Sequence, residues 1–233
     1  MSSIYLIDYY SNSIESVLHK ASPVSKIVFL FLILISIISS KSIFSLLVIF
    51  SVISFLIILA KLPFFRILTW SFYPAFFTSL FAVSQFEYGL LPLQTMFRAV
   101  SAALSMIFLA CTTSYPALFS LFGRISSFLA NIFFLTYRYF FLLIDSIQVK
   151  LRLMRIRGGY RGGLVRTLKN IGRLLGLIFV FSIEKSERFY NILAVRGYKG
   201  IISSKRKYSF HFFDLILVII GLSVLIFQIL WIK

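Results

Sequence analysis

Two arginine–glycine pairs carry the side chains whose type and spacing suggest a specific chemistry. Arg157-Gly158 and Arg196-Gly197 lie 39 residues apart, and an acid near the start of each copy, Asp145 and Glu184, has the same offset. A guanidinium group is a permanent, planar cation that binds through forked hydrogen bonds, so the chemistry it offers is recognition, not bond making. The spacing therefore predicts two contacts with a partner, each made through one arginine.

Helices are the elements that would position these arginines. Residues 143–160 and 182–198 each lack proline and reach a glycine only after the arginine, which is typical of a helix that ends in a left-handed residue. Residues three and four positions back share the arginine's face, and in the second copy an apolar residue one further turn back extends it. These are Leu153 and Met154 for the first copy, and Phe189, Ile192 and Leu193 for the second. We expect two apolar stripes, each with an arginine at the negative end of the helix dipole. The alternative is an ordinary helix end with a basic last turn, but repetition at one offset favours a functional pair.

Composition places the chain in a membrane. Hydrophobic residues make up 60% of it and charged residues 13%, and the mean hydropathy is +0.96, values typical of an integral membrane protein. The net charge of +17 is concentrated between residues 150 and 207, where Glu184 and Glu187 are the only acids. Such a basic segment beside apolar spans belongs on the cytoplasmic side, where the anionic leaflet and an acidic partner account for the charge without nucleic acid.

The apolar runs predict an all-α membrane protein with about five spans. We expect these at residues 23–39, 43–60, 67–86 (broken at Pro74), 93–115 and 212–232, with an outside loop at Glu87. Residues 128–144 are interpreted as an interfacial helix that runs into the first arginine copy. Three regions follow: 1–115 with a lead-in and four spans, 116–207 with the basic coupling helices, and 208–233 with the last span. The N-terminus and the basic region are predicted to be cytoplasmic.

Residues suited to catalysis are scarce. The chain has seven acids, two histidines and a single cysteine, Cys111, and it lacks a nucleotide-binding glycine loop or a metal-binding motif. We predict no catalytic residues, no metal site and no cofactor on this chain. Arg98 is expected to extend to the lipid headgroups and Arg138 to pack against acids of the basic region. Asp145 either pairs with a nearby base or takes part in a proton relay.

The motifs together resemble a known family. Ile156-Arg157-Gly158, Val195-Arg196-Gly197 and residues 18–26 (Leu-His-Lys-Ala-Ser-Pro-Val-Ser-Lys) are similar to segments of the transmembrane T component of energy-coupling factor (ECF) transporters, the group that includes the cobalt-transport permease Q subunit. The family's motif alanines are replaced here by Ile156 and Val195.

The resemblance implies a scaffold in the plasma membrane and not an enzyme. Its two arginine-tipped helices would dock on two cytoplasmic ABC ATPase subunits, which bind the ATP. Its spans would hold a membrane-embedded S component that carries a vitamin or a transition-metal ion. The alternative is a stand-alone secondary transporter, which needs a polar site within the membrane. For such a site the spans offer only Ser, Thr and Tyr, and no inward acid is expected.

Overall fold

The computed structural model describes residues 3–14, 16, 18–19, 21–83, 89–123, 126–198 and 212–232, and within these ranges it is all-helical. The helices are α1 (Ser3–Ser13), α2 (Pro23–Ser39), α3 (Ile43–Leu59), α4 (Phe64–Val83), α5 (Leu91–Thr112), α6 (Tyr115–Phe122), α7 (Ser127–Ile156), α8 (Leu164–Val195) and α9 (Phe212–Ile232). The chain forms two compact units, one of Met1–Leu118 with Arg206–Lys233 and one of Phe119–Lys205.

The first unit is a helical bundle built around α2, α3, α5 and α9. Its buried core includes Phe29, Ile33, Ile49, Leu104 and Leu217. α2 begins at Pro23, as the sequence predicted, because proline suits the first helical turn and the Ser22 hydroxyl accepts a hydrogen bond from the Val24 N–H.

Close backbone approach joins α2 to α9. A Cβ at Gly221 would lie 3.0 Å from a Leu32 methyl carbon and 3.2 Å from the Phe29 ring. Small residues permit such close packing between apolar helices, where interlocking side chains and not water exclusion hold the pair together.

Helix α4 corrects one prediction. It runs without interruption from Phe64 to Val83 with Pro74 inside it, so the predicted break at Pro74 is wrong. The hydroxyl of Thr78 donates to the carbonyl oxygen of Pro74 at 3.2 Å. Proline lacks an N–H, so the Trp70 carbonyl one turn earlier loses its helical hydrogen bond, and apolar helices tolerate such a loss.

Three helices among the described residues are long and apolar enough to cross a membrane: Leu91–Thr112, Ser127–Ile156 and Phe212–Leu230. α2 and α3 are apolar but have 17 residues each. An all-α membrane protein is therefore confirmed. α7 qualifies as a span by length and composition, whereas its interfacial placement stays a prediction. The predicted loop at Glu87 and the basic residues Lys199, Lys205, Arg206 and Lys207 lie outside the described residues.

The second unit is dominated by α7 and α8, which run antiparallel. The Asn170 side-chain amide donates to the Gly159 carbonyl oxygen at 2.9 Å, and further along the pair the rings of Tyr139 and Phe189 lie 5.2 Å apart. The start of α8 therefore packs against the end of α7, and the later part of α8 packs against the earlier part of α7. Near the start of α7, Phe133 stacks on Phe119 at 5.4 Å.

The surroundings of two arginines, Arg98 and Arg138, were predicted from local sequence, and tertiary contacts now define them. Arg98 donates to the carbonyl oxygen of Ser40 between α2 and α3, and its predicted extension to the headgroups stays a prediction. Arg138 lies over the Phe189 ring, 5.2 Å from its centroid, so the predicted packing against acids is wrong. Both guanidinium groups find partners inside their own unit.

Candidate functional site: two arginine-tipped helix ends

The end of α7 is closed by a pair of backbone hydrogen bonds around Arg157. The Gly158 N–H donates to the Arg155 carbonyl at 3.1 Å, and the Gly159 N–H donates to the Met154 carbonyl at 2.8 Å. Gly158 has a φ of +69°, the left-handed conformation that glycine adopts without a steric penalty. This is a Schellman end, and it makes Arg157 the capping residue of the helix.

The end of α8 repeats this geometry 39 residues later. The Gly197 N–H donates to the Ala194 carbonyl and the Tyr198 N–H to the Leu193 carbonyl, both at 3.0 Å. Gly197 has a φ of +75°, and Arg196 is the capping residue. The backbone angles of Arg157 (−76°, 8°) and Arg196 (−81°, 7°) are nearly the same. The sequence repeat is therefore a structural repeat, and the prediction that each helix stops at its glycine is confirmed.

Each tip presents a cation beside a large apolar side chain. Arg157 and Arg196 are exposed, and neither guanidinium has a bonding partner within the described part of the chain. Ile156 is 81% exposed and Val195 is 90% exposed. We define the coupling tips as Ile156–Gly158 and Val195–Gly197. Ile156 and Val195 were not among the predicted contact residues. The signal that could have identified them is their common position directly before the arginine.

The surroundings of the two tips differ in charge. Arg157 lines a groove between α7 and α8 together with Leu153 and Met154, and the other cations on it are Lys150 and Arg173. No carboxylate lines that groove among the described residues.

Among the described residues, the groove beside Arg196 is lined by α8. Ile192 lines it together with Glu184, Glu187 and Arg188, so opposite charges balance there. Glu184 and Arg188 form the expected i, i+4 pair at 3.5 Å, with both side chains exposed. A partner that binds both tips therefore meets a basic surface at one and a mixed surface at the other.

Two residues of the predicted stripe on α8 face inward. Phe189 packs edge-on against Tyr139 of α7, and Leu193 is half-buried. Of the stripe residues, Leu153, Met154 and Ile192 lie with their arginines on open grooves. The stripe on α8 therefore serves partly to hold the helix pair together.

The tips lie far apart because the helices are antiparallel. The α7 tip lies beside Asn170, near the start of α8. From there α8 continues to Arg196 for about 26 residues, which at 1.5 Å per residue is about 39 Å. Two separate protein surfaces can bind these tips at once.

A second polar cluster, in the first unit, was not found from the sequence. Lys26 is only 2% exposed, and its ammonium group donates to the Thr112 carbonyl at 2.7 Å and the His19 carbonyl at 3.4 Å. The Asp214 carboxylate, 1% exposed, accepts from the Ser22 N–H at 2.5 Å and the Ser25 hydroxyl at 2.7 Å. The expectation that no acid faces inward from the spans is therefore wrong.

The imidazole of His19 completes this cluster. Its Nε2 lies 3.1 Å from the carbonyl oxygens of both Tyr10 and Cys111, and carbonyls only accept, so Nε2 carries a proton. Nδ1 then accepts from the Ser16 hydroxyl at 2.6 Å. Burial, followed by the charge of Lys26, lowers the pKa of His19 below its ordinary value. The neutral ring fits its partners, and the cluster connects the N-terminal segment, α5 and α9.

Comparison with known protein families gives a match. A family model described as CbiQ, cobalt transport protein, matches residues 14–209. This range includes both coupling tips and the segment around His19 and Lys26. No curated protein sequence matches the chain.

Proposed function

The chain belongs to the CbiQ family of cobalt transport proteins, which are membrane components of transporters, and we propose that it is the energy-coupling T component of an ECF-type ABC importer. Its two coupling tips dock on two cytoplasmic ATPase subunits. A membrane-embedded S component binds the transported vitamin or metal ion. The ATPases bind the ATP, and this chain transmits their motion to the S component. The chain lies in the plasma membrane with its tips on the cytoplasmic side.

The repeated helix end is the observation that carries this proposal. Two tips share sequence, backbone angles and hydrogen bonds, and both expose an arginine with a neighbouring apolar side chain. Exposed arginines next to apolar anchors are typical of protein interfaces, where the fork supplies orientation and the apolar group supplies burial. A separation of about 39 Å along α8 suits two subunits that move relative to each other.

The helix pair is suited to transmitting force. α7 continues without a break from an apolar, span-length segment to Arg157. α8 runs for 32 residues to Arg196 and packs on α7 through Tyr139 and Phe189. A displacement of either tip therefore moves a long rigid element, since close-packed helices shift as bodies.

Charge reversal at the tips tests the proposal. We expect Arg157→Glu and Arg196→Glu each to weaken binding of the ATPases by at least about 30-fold, because truncating a bonded interfacial charge costs about 2–5 kcal/mol. Co-purification and affinity measurements on the full transporter would record this, together with ATP-dependent uptake. Arg152→Glu is the matched control, because Arg152 is an exposed arginine of α7 outside the tip and its groove. Normal assembly and uptake by both tip variants would refute the proposal.

Uptake by the isolated chain distinguishes the alternative, a secondary transporter. The buried Asp214 and Lys26 offer a polar site, but their bonds go to backbone groups and serines of the bundle. We therefore expect no uptake by proteoliposomes that contain this chain alone. Substrate accumulation driven by an ion gradient in such vesicles would favour the secondary transporter.

A further inference from the structure

A cavity between α7 and α8 lies away from both coupling tips. It has a volume of about 310 Å³, and its walls include Tyr139, Leu142, Leu143, Phe181, Lys185 and Ser186. The cavity occupies the stretch of α7 where the sequence changes from apolar residues to the basic segment that starts at Lys150. In a membrane protein such a change marks the depth of the lipid headgroups.

Two ammonium groups lie near the Phe181 ring of this cavity. Lys185 lines the cavity itself, and Lys150 lines the neighbouring groove of the first tip. The Lys150 Nζ lies 4.6 Å from the centroid of Phe181, and the Lys185 Nζ lies 5.3 Å from the same centroid. Both cations are therefore within about 10 Å of each other, where like charges repel. No carboxylate lines the cavity among the described residues. The two charges make the surroundings of the ring positive, which favours an anion in the cavity.

An unused hydroxyl adds a neutral donor. The oxygen of Tyr139 is buried and has no hydrogen-bond partner within the described residues. A buried hydroxyl without a partner carries a free-energy cost that a ligand oxygen removes. A phosphate group has the acceptor oxygens that a phenol and two ammonium groups need.

We propose that this cavity binds the headgroup of an anionic phospholipid, with its phosphate bound by Lys185 and Tyr139 and attracted by the nearby charge of Lys150. The leucines and Phe181 give the cavity mainly apolar walls, which suit the glycerol and upper acyl region of a lipid and not a fully hydrated inorganic phosphate. Lys150 also lines the groove of the first tip, whereas Lys185 and Tyr139 line neither tip groove. The variants at Lys185 and Tyr139 therefore test the lipid site separately from the proposed function.

Native mass spectrometry of the full chain in detergent tests this site. Phosphatidylglycerol and phosphatidylcholine of the same acyl chains would be added in equal amounts, and the fraction of protein carrying each lipid measured. We expect preferential retention of phosphatidylglycerol, and about a fivefold loss of its affinity in Lys150→Gln and in Lys185→Gln, because each basic residue at an anionic headgroup contributes about that factor. Tyr139→Phe, which removes only the hydroxyl, should lower the affinity by a smaller factor.

Lys169→Gln is the matched control, because Lys169 is an exposed lysine of α8 that does not line the cavity. It should retain phosphatidylglycerol as the unchanged protein does. An equal loss in this control would overturn the proposal in favour of general attraction between a basic protein and anionic lipid. Displacement of the lipid by millimolar inorganic phosphate would also overturn it, since the phosphate alone would then be the ligand.

Discussion

Replacing Gly197 with alanine should loosen the end of α8 without unfolding the helix pair. The glycine has a φ of +75°, and a Cβ there would meet nothing within 4 Å. The penalty of the substitution is therefore conformational and not a clash. An L-residue in the left-handed region costs about 1–2 kcal/mol.

The chain has a second way to accommodate the alanine, which is to release the turn. That route gives up the hydrogen bonds from Gly197 to Ala194 and from Tyr198 to Leu193. Each exposed backbone bond contributes about 0.5–1.5 kcal/mol net. The two routes have similar costs, so we expect the closed end to lose about 1–2 kcal/mol whichever one the chain follows. Amide exchange in the last turn should accelerate about five- to thirtyfold.

Hydrogen–deuterium exchange with mass spectrometry on the purified chain would measure this. Peptides covering residues 193–198 should lose protection, while peptides from the middle of α8 stay unchanged. Gly172→Ala is the matched control, because Gly172 lies inside α8 with open space around it. Alanine at an interior helix position is favoured over glycine by about 0.8–1.0 kcal/mol, so exchange there should slow. Unchanged exchange at residues 193–198 in Gly197→Ala would refute the reasoning.

Three further predictions concern other parts of the chain. Gly159→Ala should destabilise the first tip, measured by local amide exchange, because its Cβ would lie 2.6 Å from the Cγ of Met154. Lys26→Met should lower the thermal unfolding midpoint in detergent by leaving two backbone carbonyls unsatisfied, about 1–3 kcal/mol each at most, whereas the exposed Lys41→Met should not. The pKa of His19 in the folded chain lies below its ordinary value of 6.5, so the unfolded chain binds the proton more readily and the free energy of unfolding falls as the pH drops below about 6.5. A thermal-unfolding series from pH 8 to 5 should show this fall, and His19→Gln should make the series flatter.

The helix ends were predictable because their determinants are local. Pro23 after a serine starts α2, and Gly158 and Gly197 stop α7 and α8, as the sequence indicated. Each of these residues acts on its own turn through φ or through a hydrogen bond two or three residues away. Such effects need no knowledge of the tertiary structure.

Residues whose role depends on neighbouring helices were not predictable. Lys26 sits near the start of an apolar run, where a lysine usually meets water or headgroups, yet the C-terminal end of α5 and the turn at His19 enclose it. Phe189 shares the face of Arg196 by spacing, but the packing of α7 on α8 covers that ring. A single sequence specifies which residues share a face, whereas the tertiary packing decides which face is covered.

The exposure of Ile156 and Val195 indicates that the repeated helix end serves a function, and that it is not explained by a requirement of folding. A single exposed apolar side chain is ordinary on any protein surface. Here two branched side chains are 81% and 90% exposed at equivalent positions of two helix ends that share one backbone geometry. Neither side chain adds buried area to its own unit, so fold stability does not explain why both ends carry one beside an arginine. Burial against a partner does explain it, and because the ends lie about 39 Å apart along α8, the explanation requires two contact surfaces that the helix pair connects.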